Sequence, residues 1–125
     1  GGLSVQDIFD YLAAYFGARG EGGRTTAWMR PRIPLIAGEP WTPLGRVLVV
    51  VDSIGGACAV LPFQRWTFVN ADTTCQLVRE PIGEWIALAG TQWVADDGIG
   101  LAQAAIHDAT GPIGHGLQSQ VVAPR

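Results

Sequence analysis

The chain has 125 residues, 48% of them hydrophobic and 15% charged, with a formal net charge of −3. That length is about one domain, and so apolar a composition supports a core without disulfides or a structural metal. Charge is sparse against the roughly 25% of a typical soluble protein, so either the core is large or, the favoured reading for so short a chain, part of the surface is hidden against a partner. All eight basic residues are arginines, and only Arg30 and Arg32 lie close together. The scatter excludes the basic stripe that nucleic-acid binding requires. A few arginines still suit the phosphates of a small ligand, because the guanidinium fork matches phosphate.

In chain order, residues 3–16 read as a short amphipathic helix. Ser4 and Asp7 form a capping box, and Val5, Ile8, Phe9, Leu12 and Phe16 fall at helical spacing. The four glycines between Gly17 and Gly23 break it, so residues 1–23 are expected to be a helix on a Gly-rich tether. Residues 24–36 read as extended. Pro31 and Pro34 donate no ladder hydrogen bond, which predicts an edge or irregular strand. Thr42-Pro43 is a helix start, a hydroxyl N-cap followed by Pro at N1. Leu44, Val47, Leu48 and Val51 follow at i, i+3, i+4 and i+7, and Val49 and Val50 widen the stripe. A helix apolar on nearly all sides is expected to be buried, and Gly55-Gly56 ends it.

The texture then turns to strands. Residues 57–63 are a short extended piece; residues 66–78 and 83–95 are longer strands. Asp96-Asp97-Gly98 carries a hairpin signal. Residues 99–108 pair back, and after a turn at Asp108–Gly111 residues 112–123 make the last strand. One helix laid on an antiparallel sheet is an α+β architecture. No run of residues is long and apolar enough to span a bilayer. The N-terminus lacks a secretory pattern, so cytoplasm is the expected compartment.

Several chemistries lack their residues. There is no P-loop, dinucleotide fingerprint, zincin motif or nucleophile elbow, so no cofactor and no metal is expected. Cys58 and Cys75 have no metal or redox spacing and read as small buried residues of a reducing compartment. His107 and His115 flank a turn and lack a third ligand, so solvated strand histidines are the plainer reading than a metal pair.

Asp52 is the unusual residue, a carboxylate ending the most apolar helix. Burial and the helix dipole both disfavour its charge there, as suits a poised general base. The alternative is a turn starter ahead of Ser53 and Gly55-Gly56. Asn70 shares a strand face with Trp66 and Phe68. Gln118 lies on the last strand among Gly114, Gly116 and Val122. Each amide either stitches the core or orients a water.

Met29–Leu35, Gly38-Glu39-Pro40, Val51-Asp52-Ser53, Trp66–Asn70, Arg79–Trp85, Asp97–Ala102 and Gly111–Gln118, taken as an ordered set, resemble the C-terminal hotdog domain of type II (double-hotdog) acyl-CoA thioesterases and their actinobacterial relatives. The resemblance covers about residues 24–125 and implies a single hotdog domain, one central helix wrapped by an antiparallel sheet. In that family an Asp at the helix end, a Thr on the following strand and a Gln on the last strand position the water that attacks the thioester. Carried over, these fall on Asp52, Asn70 in place of the Thr, and Gln118. Strand alternation predicts that Thr73 points to the opposite face from Asn70 and that Thr74 shares its face. The implied activity is hydrolysis of a fatty acyl-CoA, the coenzyme A moiety being part of the substrate, with the oxyanion held by amides at a helix N-terminus. The family proteins carry two hotdog halves, so a single half implies a homodimer or a heterodimer with another half. The competing reading is a non-catalytic hotdog subunit that binds or scaffolds a partner. A hydratase reading lacks the helix Asp–His pair it needs.

Overall fold

The structure is a computed structural model that describes residues 12–16 (backbone only), 25–31, 38–54 and 65–124. Six strands and one helix make up this part: β1 Leu12–Phe16, β2 Thr25–Pro31, α1 Pro43–Val51, β3 Trp66–Leu77, β4 Ile86–Val94, β5 Ile99–Asp108 and β6 Gly111–Pro124. The strands form one antiparallel sheet in the order β1-β2-β4-β5-β6-β3. The expected α+β hotdog architecture is therefore present.

Two expectations at the N-terminal end change. Residues 12–16 are not helical; they form β1, paired with β2 from Leu12↔Pro31 to Phe16↔Ala27. The free edge of β2 supplies backbone hydrogen-bond partners that outweigh a helical pattern, and Tyr and Phe are residue types enriched in strands. This places part of the expected 1–23 tether in the sheet; residues 3–11 lie outside the described residues. For the same reason β2 is internal, flanked by β1 and β4. Pro31 is tolerated because it occupies the last position of the strand. Pro34, and the extended piece expected at 57–63, lie outside the described residues.

The helix starts as the sequence predicts. Thr42 Oγ1 accepts from the Gly45 N–H at 3.0 Å, and Pro43 occupies the first turn. Its buried stripe is rotated from the expected one: Val47, Val50, Val51 and Ile54 are buried, while Leu44 and Leu48 are 48% and 49% exposed. The helix thus lies on one face of the sheet rather than within a fully enclosed core. It meets Ala27 and Met29 of β2, Ile86 and Leu88 of β4, and Ala104, Ile106 and Ile113 on the central strands.

The helix-facing positions of β5 are Gly100, Ala102, Ala104, Ile106 and Asp108, all buried. On β6 they are Gly116, Gln118, Gln120 and Val122, also buried. Gly116 has a specific job. A Cβ there would sit 2.8 Å from Ile54 Cδ1 and 3.0 Å from Val51 Cγ1, so the missing side chain lets the end of the helix settle on β6. The β4–β5 hairpin closes as the Asp-Gly signal predicts, with Gly98 at φ +88°, a region L side chains avoid.

At the other end of the sheet Asp108 organises the turn into β6. Its buried carboxylate accepts from Arg79 Nη1 (2.5 Å) and Nη2 (3.0 Å), the Ile82 N–H (2.8 Å), and the Thr110 N–H (2.9 Å) and hydroxyl (2.7 Å). The Arg79 guanidinium and these N–H and O–H donors hold the carboxyl far below the usual carboxylate range. Arg30 reaches Glu84 at 3.4 Å and lies over the Trp85 ring, while Arg46 donates to the Gly83 carbonyl at 3.3 Å. Cys75 packs half-buried against the core, which pushes its thiol pKa up; Cys58 lies outside the described residues.

Candidate active site

Asp52 is the C-cap of α1, its backbone N–H still bonded to the Leu48 carbonyl at 3.1 Å. Its side chain is exposed rather than half buried. Two residues from two strands bond to Asp52, and a third bonds to one of these. Asn70 Nδ2 donates to Asp52 Oδ1 and to the Asp52 carbonyl, both at 3.3 Å. Gln118, fully buried, donates from Nε2 to the same carbonyl at 3.1 Å and to Thr73 Oγ1 at 3.1 Å. The structure therefore brings Asp52, Asn70 and Gln118 together, and it adds Thr73.

Thr73 corrects an expectation. Simple alternation sends it to the face opposite Asn70. Instead β3 and β6 pair as Asn70↔Gln120, then Asp72↔Ser119 and Thr73↔Gln118, with a register shift between Asn70 and Asp72. Ala71 is the extra residue of a β-bulge, and such a residue inverts the alternation beyond it. Asn70 and Thr73 consequently share the helix-facing side, and Thr74, opposite Leu117, falls on the outer one.

The chemistry of the cluster follows from its donors. The Gln118 amide spends its two N–H groups on the Asp52 carbonyl and on Thr73 Oγ1. Thr73 Oγ1 accepts the second of these, and among the described residues its hydroxyl donates to no protein group. Asp52 Oδ1 is tethered by Asn70, and among the described residues Oδ2 accepts no hydrogen bond. Asp52 Oδ2 and the Thr73 hydroxyl, both on exposed residues, are thus the polar groups of this cluster left for a water or ligand among the described residues. Among the described residues the N-terminus of α1, a helix of nine residues, lies about 13 Å from Asp52 along the helix.

Two amides missed by sequence reasoning stand behind Asn70. Gln120 Nε2 donates to Asn70 Oδ1 at 3.0 Å, and Gln92 Nε2 donates to Gln120 Oε1 at 2.7 Å. Further along this face an open cavity of about 580 Å³ is lined by Trp66, Val94, Val122 and Pro124 among others. His107 and His115 are not directly paired; they oppose Pro112 and Ala105. Among the described residues no group of three or more His, Cys, Asp or Glu gathers as a metal site.

A family profile described as the acyl-CoA thioesterase C-terminal domain matches residues 4–122. The chain belongs to this family. The match includes the segment that carries β1, so the family domain begins well before residue 24. Solved thioesterases share the fold at low identity. An acyl-CoA thioesterase II from Mycobacterium marinum superposes with a TM-score of 0.70 at 16% identity, over 100% of this chain and 55% of that one. A thioesterase family protein from Silicibacter pomeroyi gives 0.70 at 17% identity, over 94% and 90% of the two chains. A thioesterase from Haemophilus influenzae gives 0.70 at 14%, over 99% and 93%. The acyl-CoA thioesterase C-terminal domain described here thus spans about half the length of the Mycobacterium marinum enzyme. No curated protein matches the chain significantly. Among the described residues no helix is long and apolar enough to cross a membrane.

Proposed function

We propose that this domain hydrolyses a fatty acyl-CoA thioester by activating water at Asp52. The observation that carries the reading is an exposed carboxylate at the end of α1 that accepts from Asn70, with Gln118 bonded to the backbone carbonyl of the same residue and Thr73 bonded to Gln118. The carboxylate removes a proton from a water hydrogen-bonded to Oδ2, and the resulting hydroxide attacks the thioester carbonyl carbon. The hydroxyl of Thr73 donates to the water or to the carbonyl oxygen as it gains charge, while Asn70, with its NH₂ on Asp52, holds the base in place. Collapse of the tetrahedral intermediate breaks the C–S bond, and the proton held by Asp52 passes to the departing sulfur. In this reading Thr73 fills the place of the family threonine and Asn70 is an added donor.

The open cavity beside Trp66 and Val122, mostly apolar with Asp96 and Asp97 at the turn, suits the acyl chain, since Trp66 is four residues before Asn70 on the same face, about 13 Å along the strand. The domain works paired with a second hotdog, either a copy of itself or another half. The outer face of the sheet supports this, with Trp93, Ile99 and Val121 each more than half exposed.

The test is steady-state hydrolysis of a chain-length series of acyl-CoA by wild type, Asp52→Asn and Thr73→Val. Asp52→Asn keeps the shape and removes the base, so kcat falls by about 10²–10⁴, with a smaller fall for Thr73→Val. Equal rates for wild type and Asp52→Asn would sink the proposal. A wild type that binds acyl-CoA without hydrolysing it would leave a non-catalytic hotdog subunit, the reading that the half-length match also accommodates.

A further inference from the structure

We infer that Gln92 and Gln120 are positioning residues, forming with Asn70 a directional amide relay that aims a donor at Asp52. The inference rests on the reading of Asp52 as the base. The relay runs Gln92 Nε2 to Gln120 Oε1 at 2.7 Å, Gln120 Nε2 to Asn70 Oδ1 at 3.0 Å, and Asn70 Nδ2 to Asp52 Oδ1 at 3.3 Å.

Its direction follows from chemistry at the Asp52 end. An ionised carboxylate and a backbone carbonyl are both acceptors only. Asn70 faces both oxygens of this kind on Asp52, so it must present its NH₂ to them. Its carbonyl oxygen then points away and requires a donor. Gln120 supplies one, which turns its own oxygen toward Gln92, and Gln92 supplies the next. Reversing any amide alone sets oxygen against oxygen or NH₂ against NH₂, so the three turn together or not at all.

Burial gives the relay its stiffness. Asn70 is exposed, and on its own its amide would rotate against water. Gln92 and Gln120 are each only 3% exposed. Burying two glutamine side chains beside a hydrophobic core is costly unless their polar atoms are satisfied, and polarisation along a chain of amides strengthens each bond. The sheet is shaped for this contact. Gln92 is on β4 and Gln120 on β6, with β5 between them. They meet across β5 because the intervening helix-facing residues are Gly100 and Ala102. A Cβ on Gly100 would lie 3.1 Å from Val122 Cγ2 and 3.6 Å from Gln120 Oε1.

The experiment pairs kinetics with side-chain amide NMR on the full chain. Met has nearly the shape of Gln without its polar head, so Gln92→Met and Gln120→Met offer two independent chances of a folded variant. Gln92→Met is expected to shift the Asn70 side-chain NH₂ resonances, although Gln92 lies one amide removed from Asn70. It is also expected to lower kcat on the order of tenfold with KM unchanged, as for a misaimed catalytic group. In an Asn70→Ala background the same substitution is expected to leave kcat unchanged, because the relay then ends on nothing. A purely structural role predicts equal losses in both backgrounds, and that result would overturn the inference. So would Asn70 resonances unmoved by either Met variant. The NMR arm needs no turnover, so a chain without thioesterase activity would refute the assignment of the base while still reporting whether the amides are coupled.

Discussion

Gly116→Ala tests whether the helix end, and with it Asp52, is placed by a single missing side chain. The new methyl would lie 2.8 Å from Ile54 Cδ1, 3.0 Å from Val51 Cγ1 and 3.7 Å from Ile106 Cδ1. The first contact is shorter than carbon atoms tolerate and the second is tight, and both belong to fully buried residues close to Asp52 in the chain. Overpacking of this kind costs roughly 1–3 kcal/mol, so Gly116→Ala should lower the urea-derived stability by about that amount. The strain is relieved by lifting the end of α1, which lengthens the 3.1 Å bond from Gln118 to the Asp52 carbonyl. Ile54→Val removes only the Cδ1 atom that the new methyl meets, at a cost of about 0.5–1.5 kcal/mol by itself. Combining the two returns one methyl for the other, so the double variant should be more stable than the sum of the single losses by about 1 kcal/mol. Strict additivity in that cycle would refute the packing argument. So would a Gly116→Ala protein as stable as wild type.

Two further outcomes follow from the structure. The Asp108 carboxyl is held below its ordinary pKa in the folded state, so its contribution is complete above the unfolded value of about 3.9 and fades as pH falls below it; urea midpoints across pH 2–6 should show this loss, and Asp108→Asn should start less stable at neutral pH and lose less on acidification. Trp93, opposite Leu101, and Val121, opposite Ile99, belong to the sheet face away from α1; Trp93→Lys combined with Val121→Glu should reduce the sedimentation mass to that of a single chain, and an unchanged mass would place the pairing surface elsewhere.

The parts of the fold legible in the sequence are those fixed by neighbours along the chain. The Thr42-Pro43 cap, the Asp-Gly turn and the alternation of β5 and β6 each depend on a few consecutive residues, and each has its expected structure. The segment Leu12–Phe16 was not legible, because a strand edge brought up by β2 decides its state. Asp52, Asn70 and Gln118 came together as a set only through the family resemblance; read singly, each also suited a turn or a core-stitching amide. Thr73 was not legible, because one inserted residue in β3 changes which way every later side chain points. Gln92 and Gln120 were out of reach for a different reason. Their contact depends on the spatial order β4-β5-β6 and on the smallness of Gly100, and neither is a local property.

The bulge at Ala71 has a further consequence. The Ala71 side chain has no polar atom with which to join the site, yet its presence sets the phase of β3. Without it, Thr73, Cys75 and Leu77 would face outward together, and the last two would be lost from the core they pack against. A deletion of this one methyl-bearing residue should therefore do more damage than replacing it by almost any other side chain. The strand counts residues there, and what it requires at position 71 is an occupant more than an identity.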